Sequence, residues 1–193
     1  MSAKSMRVRR TSQRVIARPS KMTSPQSIAN ELQSRKRQSA CALSLLTYGY
    51  RGWMGGLRSA DMSAWENVFR TYSQELGLCH AKRTVEALSE WVSSIEHARS
   101  RRVEVCPLEA RALCRDECVA MSIVAAAQSD ACPAMRACAF ALVGADNIDP
   151  VVSNAEALAT EFRDAERIFE PSLIVPSELA VAAQATSYGC ATH

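Results

Sequence analysis

Five cysteines in the middle of the chain are the residues whose chemistry is most varied: Cys106, Cys114, Cys118, Cys132 and Cys138. Cys114 and Cys118 are four residues apart, so on one continuous helix they would share a face, with Cys106 at or before the first turn. Thiolates from this helix and from the next one could together bind zinc or an iron–sulfur cluster.

The spacing of these cysteines argues against a metal site. Structural zinc sites usually present two pairs of cysteines about two to four residues apart, and only Cys114 and Cys118 fit. Cys132 and Cys138 would point about 120° apart on a helix. Both segments are rich in Ala, where a cysteine serves as one more small apolar residue. We therefore expect core packing, with metal binding or thiol redox pairing as the alternative.

Other catalytic combinations are weak. Cys79 and His80 are adjacent, so their side chains would diverge by about 100° on a helix, and a turn with a capping histidine is expected instead. His97 lies opposite the apolar stripe of its segment, and His193 is the last residue. The sequence holds no Glu-x-x-His pair and no glycine-rich phosphate loop. We expect neither an enzyme nor a bound cofactor.

The segment from Asp61 to Arg99 supplies the clearest structural pattern, two amphipathic helices in a hairpin. Gly77 lies between them, and a glycine can take the positive φ that ends a helix, which predicts a short turn and antiparallel packing. Asp61 is the expected N-cap, with Ser63 as the alternative. The apolar positions recur every three or four residues: Met62, Trp65, Val68, Phe69, Tyr72 and Leu76, then Ala81, Val85, Leu88, Trp91, Val92 and Ile95.

A helix is predicted before this hairpin, starting near Ser24–Ser27 and running toward Trp53. Its half before Cys41 carries Arg35, Lys36 and Arg37 and should be exposed, whereas the half from Cys41 should be buried. The sequence places glycines among aromatic residues here, so the aromatic rings could stack on bases. We favour a close helix crossing at Gly49 and Gly52, with Gly55 and Gly56 ending the helix.

Three further helices are predicted after the hairpin. The first runs from Pro107 to about Gln128 and should be the most buried helix. The second, from Cys132 to Val143, should be capped by Asp130 and closed by Gly144. The third begins at Asp149 and keeps its apolar stripe to Phe169. Arg99, Arg101 and Arg102 are expected to complement the dipole at the C-terminal end of the hairpin.

These elements predict an all-α protein, a compact bundle of five or six helices with a disordered basic N-terminal arm. We expect the arm at residues 1–25, the bundle at 26–170, and a C-terminal link with a weakly structured tail at 171–193. A short helix from Ser177 to Ala185 is an option within the tail.

The charge is concentrated at one end of the chain. Residues 1–40 hold ten Lys or Arg and a single acid, Glu31, although the whole chain has a net charge of only +3. Flexible basic segments can neutralise phosphates or an acidic surface without folding. The candidate contact residues are Arg7, Arg9, Arg10, Arg14, Arg18, Lys21, Arg35, Lys36 and Arg37. We favour a solvated leader, with Met6 or Met22 as possible starts, over this binding arm, and a transit peptide is a third interpretation.

Taken together, the sequence predicts a cytoplasmic, non-enzymatic helical module. No run of about 18 apolar residues is present, so no membrane span is expected. The partner would be another protein or a second copy of the chain, with nucleic acid possible through residues 1–40. A small metal-binding or thiol-redox protein that uses the cysteines at 106–138 is the alternative.

The arm hypothesis makes a direct prediction. Removal of residues 1–25 should abolish binding to a polyanion such as single-stranded DNA, and binding by the full chain should weaken steeply with salt because counterions are released. Fluorescence anisotropy over a salt series measures both effects. Equal affinity of the full and shortened chains would contradict the hypothesis.

Overall fold

A computed structural model describes residues 25–174, and they form a bundle of six α-helices. The helices are α1 (Pro25–Ser59), α2 (Met62–Leu76), α3 (Leu78–Ala98), α4 (Arg115–Gln128), α5 (Cys132–Val143) and α6 (Asp149–Asp164), followed by a short 3₁₀ turn at Pro171–Leu173. No strand occurs among these residues. The predicted all-α bundle is confirmed. The expected arm and the Ser177–Ala185 helix lie outside the described residues, apart from Pro25.

The first three helices pack side by side, and their contacts give their directions. A Cβ atom at Gly49 would meet Tyr72 of α2 and Leu88 of α3, whereas one at Gly56 would meet Trp65. Helices α1 and α2 are therefore antiparallel. Arg58, further along α1, donates to Glu96 at 2.7 Å, so α3 runs parallel to α1.

The predicted hairpin of α2 and α3 is thus confirmed as antiparallel. Gly77 alone separates the two helices and has a φ of 76°. The side chain of Asp61 accepts a hydrogen bond from the backbone N–H of Ser63, so it caps α2 as expected. The apolar stripes meet in the core, although Met62 and Phe69 at the edge of α2 remain exposed.

The glycines of α1 only partly match the prediction. Gly49 and Gly52 do lie where other helices cross closely, since a Cβ atom at Gly52 would come within 2.5 Å of a methyl carbon of Val68. The prediction that Gly55 and Gly56 end the helix is wrong, because α1 continues to Ser59. Gly56 instead makes room for the indole ring of Trp65, which stacks on Trp53 with ring centroids 5.5 Å apart.

The prediction of a helix from Pro107 is also wrong at its start. Residues 99–114 cross from α3 to α4 without regular structure, and α4 begins only at Arg115. Pro107 instead starts a turn, in which the N–H of Ala110 donates to its carbonyl oxygen at 3.0 Å. The expected end at Gln128 and the deep burial are confirmed, because every residue from Val119 to Ala126 is buried.

The remaining helix ends differ in detail. Asp130 has a φ of 53°, so it belongs to a left-handed turn and does not cap α5, whose N-cap position is Ala131. Gly144 closes α5 with a φ of 68°, as predicted. Helix α6 stops at Asp164, earlier than the stripe suggested, and Phe169 is buried as part of the following segment.

Helix α1 changes its environment along its length. Among its residues whose side chains are described, those before Ser39 are exposed, whereas Ser39, Ala42, Leu46 and Tyr50 are buried. The predicted division of the helix is confirmed, although Cys41 itself is exposed. None of the described helices combines the length and apolar character that crossing a membrane would require.

The glycine crossing gives a paired prediction. Gly49→Ala should lower the free energy of unfolding by about 1–3 kcal/mol, because the added methyl group overpacks the space in front of Tyr72 and Leu88. Gly55→Ala should raise it by about 0.4–1 kcal/mol, because no atom lies within 4 Å of the added group and alanine favours a helix. Urea unfolding measures both changes, and equal effects would contradict the crossing.

Candidate functional site

A fully buried carboxylate, Glu117, lies in the first turn of α4 and meets a buried arginine from the middle of α1. Arg51 Nε donates to Glu117 Oε1 at 2.7 Å, and Arg51 Nη2 donates to Oε2 at 2.8 Å. The side chains are 5% and 0% exposed. This two-point contact is the geometry that gives an arginine–carboxylate pair its directionality.

The same two side chains also bind the backbone of the segment between α3 and α4. Arg51 donates to the carbonyl oxygens of Ala110 at 2.6 Å and Ala112 at 2.8 Å. Glu117 accepts from the N–H groups of Cys106 at 3.1 Å and Cys114 at 3.0 Å. The pair therefore holds an irregular segment in place by four backbone hydrogen bonds.

The electrostatics of the pair follow from these contacts. Burial alone would raise the pKa of Glu117, but the hydrogen bonds from Arg51 and from the N–H groups of Cys114 and Cys106 outweigh it and lower the pKa below its ordinary value. The hydrogen bond to Glu117 raises the pKa of Arg51. Both groups are thus ionised at neutral pH, as a buried pair must be to stabilise the fold.

A second acid beside Glu117 repeats the arrangement. Asp116 accepts two hydrogen bonds of 2.8 Å from Arg101, and its Oδ2 also accepts the N–H of Glu104 at 2.8 Å. Arg101 therefore turns away from the end of α3, contrary to the dipole role expected for it. Arg99 stays at that end and pairs with Glu96 at 2.6 Å.

Two of the five candidate cysteines lie next to this pair. The ligand atoms of Cys106, Cys114 and Glu117 all fall within 4.8 Å of one another. Cys114 is the N-cap residue of α4, and the N–H of Cys118 in the first turn donates to its carbonyl oxygen at 3.0 Å. Cys118 is half-buried, Cys132 is exposed and Cys138 is fully buried, so core packing as expected describes Cys138 best.

The chemistry of the cluster of Arg51, Cys106, Cys114 and Glu117 does not favour a metal ion. Both oxygens of Glu117 already accept two hydrogen bonds each, and Arg51 places a positive charge beside them. Burial raises the pKa of the Cys114 thiol to about 11, and the negative charge of Glu117 adds to this. A metal ion would have to displace Arg51 and deprotonate that thiol.

A second feature is an open groove of about 490 Å³ between the start of α1 and the segment after α6. It is lined by Leu32, Arg35, Gln38, Ser39, Ile168, Phe169, Glu170, Pro171 and Ser172. Two hydrogen bonds hold its walls together, from Gln38 to the carbonyl oxygen of Glu166 at 2.8 Å and from the N–H of Glu170 to Ser39 at 2.8 Å. We call this feature the α1 groove.

Only part of the predicted arm is described. Arg35, Lys36 and Arg37 are exposed on the first half of α1, and Arg35 pairs with Glu31 at 2.8 Å. The other candidates lie outside the described residues: Arg7, Arg9, Arg10, Arg14, Arg18 and Lys21. The aromatic residues considered for stacking do not form a free surface, because Tyr50 is fully buried and Trp53 is half-buried against Trp65.

Sequence reasoning missed the role of Arg51 and the burial of Asp116 and Glu117. One signal was available. An N-cap residue followed three positions later by Glu is the pattern of a capping box, and Cys114 and Glu117 have this spacing. The pattern would have moved the start of α4 to the correct residue, although it would not have named Arg51 as the partner.

Comparisons with known proteins add no relative to these observations. The chain matches no protein-family model, no curated protein and no solved structure.

Loss of one partner of the buried pair should be costly. Arg51→Met should lower the free energy of unfolding by about 3–5 kcal/mol, because it leaves the charge of Glu117 buried without a partner. Arg35→Met is the matched control, since it removes an exposed pair worth about 0.3–0.5 kcal/mol. Urea unfolding at neutral pH compares them, and similar small losses in both variants would contradict the account.

The lowered pKa of Glu117 predicts an acid dependence. A carboxyl group whose pKa is lower in the folded state stabilises the protein above its unfolded pKa, and this stabilisation is lost as the pH falls through the folded value. The native chain should therefore lose stability between about pH 5 and pH 3 more steeply than Glu117→Gln. Urea midpoints over this range measure the two slopes, and parallel slopes would refute the prediction.

Proposed function

We propose that this protein is a non-enzymatic docking module, and that its α1 groove binds an amphipathic helix with an acidic polar face from a partner protein. The observation that carries the proposal is the exposed apolar face at the start of α1, which leads into the groove.

The first support is the position of two apolar side chains. Ile28 and Leu32 lie four residues apart on α1 and therefore share a face, and they are 48% and 54% exposed. They continue the stripe that is buried further along at Ser39, Ala42 and Leu46. The apolar stripe of α1 therefore extends beyond the part of the helix that the bundle covers, which leaves an apolar face for another element.

The second support is the shape of the groove. Leu32 lies on one wall, and Ile168 and Phe169 lie on the other, with Ile168 45% exposed. An amphipathic helix binds such a groove through apolar side chains at positions i, i+3, i+4 and i+7. A groove of about 490 Å³ between two walls offers apolar contact on both sides of an inserted side chain.

The third support is charge complementarity. Arg35 lines the groove, Lys36 and Arg37 are exposed next to it on α1, and seven more basic residues occur before Ser24 in the sequence. The lining also holds one acid, Glu170, whose carboxylate accepts from the hydroxyl of Ser172 at 3.2 Å. Positive charge around an apolar groove favours a partner whose polar face is acidic and speeds its association. In this proposal the basic arm adds affinity for the same acidic surface or for nucleic acid.

We also propose a cytoplasmic location, where the seven cysteines that are free among the described residues would remain reduced.

The alternative of a metal-binding protein is less well supported, because the oxygens of Glu117 are already occupied by hydrogen bonds.

A pair of designed peptides tests the docking proposal. One is an amphipathic helix with Leu on the apolar face and Glu on the polar face, and the other carries Lys in place of every Glu. The full chain should bind the Glu peptide at least about tenfold more tightly, because the groove is apolar and the exposed residues 35–37 of α1 beside it are basic. Fluorescence anisotropy measures both affinities.

Two matched variants locate the site. Leu32→Asp should weaken binding of the Glu peptide at least about tenfold, because it places a carboxylate on the apolar wall. Leu78→Asp should leave it unchanged, since Leu78 is 69% exposed but lies outside the groove lining. Equal binding by both variants, or no binding of the Glu peptide, would refute the proposal. Dimerisation of the chain that Leu32→Asp abolishes would assign the groove to a second copy instead.

A further inference from the structure

We propose that Cys106 and Cys114 form a redox-active thiol pair that a low-molecular-weight disulfide, such as oxidised glutathione, converts to an intramolecular disulfide. This inference is independent of the docking proposal. It concerns the segment between α3 and α4 and the buried carboxylate that holds it.

The two thiols lie close together. Glu117 binds the N–H groups of both cysteines, so one carboxylate fixes their backbones on either side of it. Their sulfur atoms lie within 4.8 Å of each other. A disulfide requires about 2.05 Å between the sulfurs, so closure moves two thiols whose backbones are already held beside each other by one carboxylate.

Neither thiol of the pair is fully buried. Cys106 and Cys114 are both half-buried, so a small reagent can reach them, whereas Cys138 is fully buried. Cys114 Sγ donates to the carbonyl oxygen of Glu104 at 3.4 Å. Cys118 is the competing partner, because it is half-buried and lies in the first turn of α4, four residues after Cys114.

The reaction is a two-step exchange. The thiolate of Cys106 attacks one sulfur of oxidised glutathione, breaks its S–S bond and releases one glutathione thiolate, which takes up the proton that Cys106 lost. The thiol of Cys114 then gives its proton to solvent and attacks the Cys106 sulfur of the mixed disulfide, releasing the second glutathione. The two cysteines lose two electrons, and glutathione gains them.

The cross-link would act on a second groove, of about 340 Å³, which lies beside Arg51. The segment between the cysteines forms one wall of this groove with Leu108, Ala110 and Arg111, and α1 forms the other with Leu43 and Tyr48. Closing a ring across residues 106–114 restricts the wall that carries Arg111. Oxidation of the two thiols would therefore change the shape of this groove.

The native sequence offers a clean assay. The full folded chain is treated with oxidised glutathione, remaining thiols are alkylated, and the chain is digested with trypsin. Cleavage after Arg102, Arg111 and Arg115 places Cys106 and Cys114 in separate peptides, residues 103–111 and 112–115. The expected product is these two peptides joined and lighter by two hydrogens than their sum, with no alkylation on either.

Three variants separate the outcomes. Cys114→Ser should stop at a glutathione adduct on Cys106, whereas Cys118→Ser should leave the cross-link unchanged. Both serine variants keep the backbone N–H groups that Glu117 binds, so the fold is retained. The control Cys132→Ser removes an exposed cysteine and should change nothing. Recovery of the two peptides only as single alkylated or glutathionylated species would overturn the proposal, as would linkage of Cys106 to the peptide that contains Cys118.

Discussion

The contact between Arg51 and Glu117 is the interaction on which the connection between α3 and α4 depends. Moving two charges out of water costs several kcal/mol per ion, and a buried pair repays this only if its remaining hydrogen-bonding groups are also satisfied. Here the backbone of residues 106–114 satisfies them, through two carbonyl oxygens and two N–H groups. The pair and the irregular segment therefore stabilise each other, and neither is expected to persist without its partner.

The neighbouring acid, Asp116, and the helices that bring these groups together also position the segment. Arg101 and Asp116 hold the beginning of the segment, while the buried pair holds its end. Arg51 can reach Glu117 because α1 lies against the other helices, and that approach requires the absence of a side chain at Gly49 and Gly52. A polar centre without regular structure is thus positioned by apolar helices that pack closely.

The helices that sequence reasoning identified well are those with a strong periodic stripe and local end signals. Asp61 and Gly77 bound α2, and Gly144 ends α5, because capping depends on a few neighbouring residues. The predicted start of α4 was wrong. Pro107 favours a helix start locally, but Arg51 binds the carbonyl oxygens of Ala110 and Ala112 and holds this backbone in another conformation. Arg51 lies 66 residues from Glu117 in the chain, and the periodicity of apolar residues carries no information about so distant a contact. The sequence did not predict the α1 groove for the same reason, because its two walls come from distant parts of the chain.

The amides of Cys106 and Cys114 test the central claim most directly. Both lie outside the helices, yet their N–H groups donate to a buried carboxylate, so they should exchange with solvent far more slowly than exposed loop amides. Hydrogen exchange followed by NMR on the native chain measures each amide separately. Strong protection of both, lost in Glu117→Gln, is the predicted result. Exchange of both amides at the rate of an unstructured peptide would contradict the account.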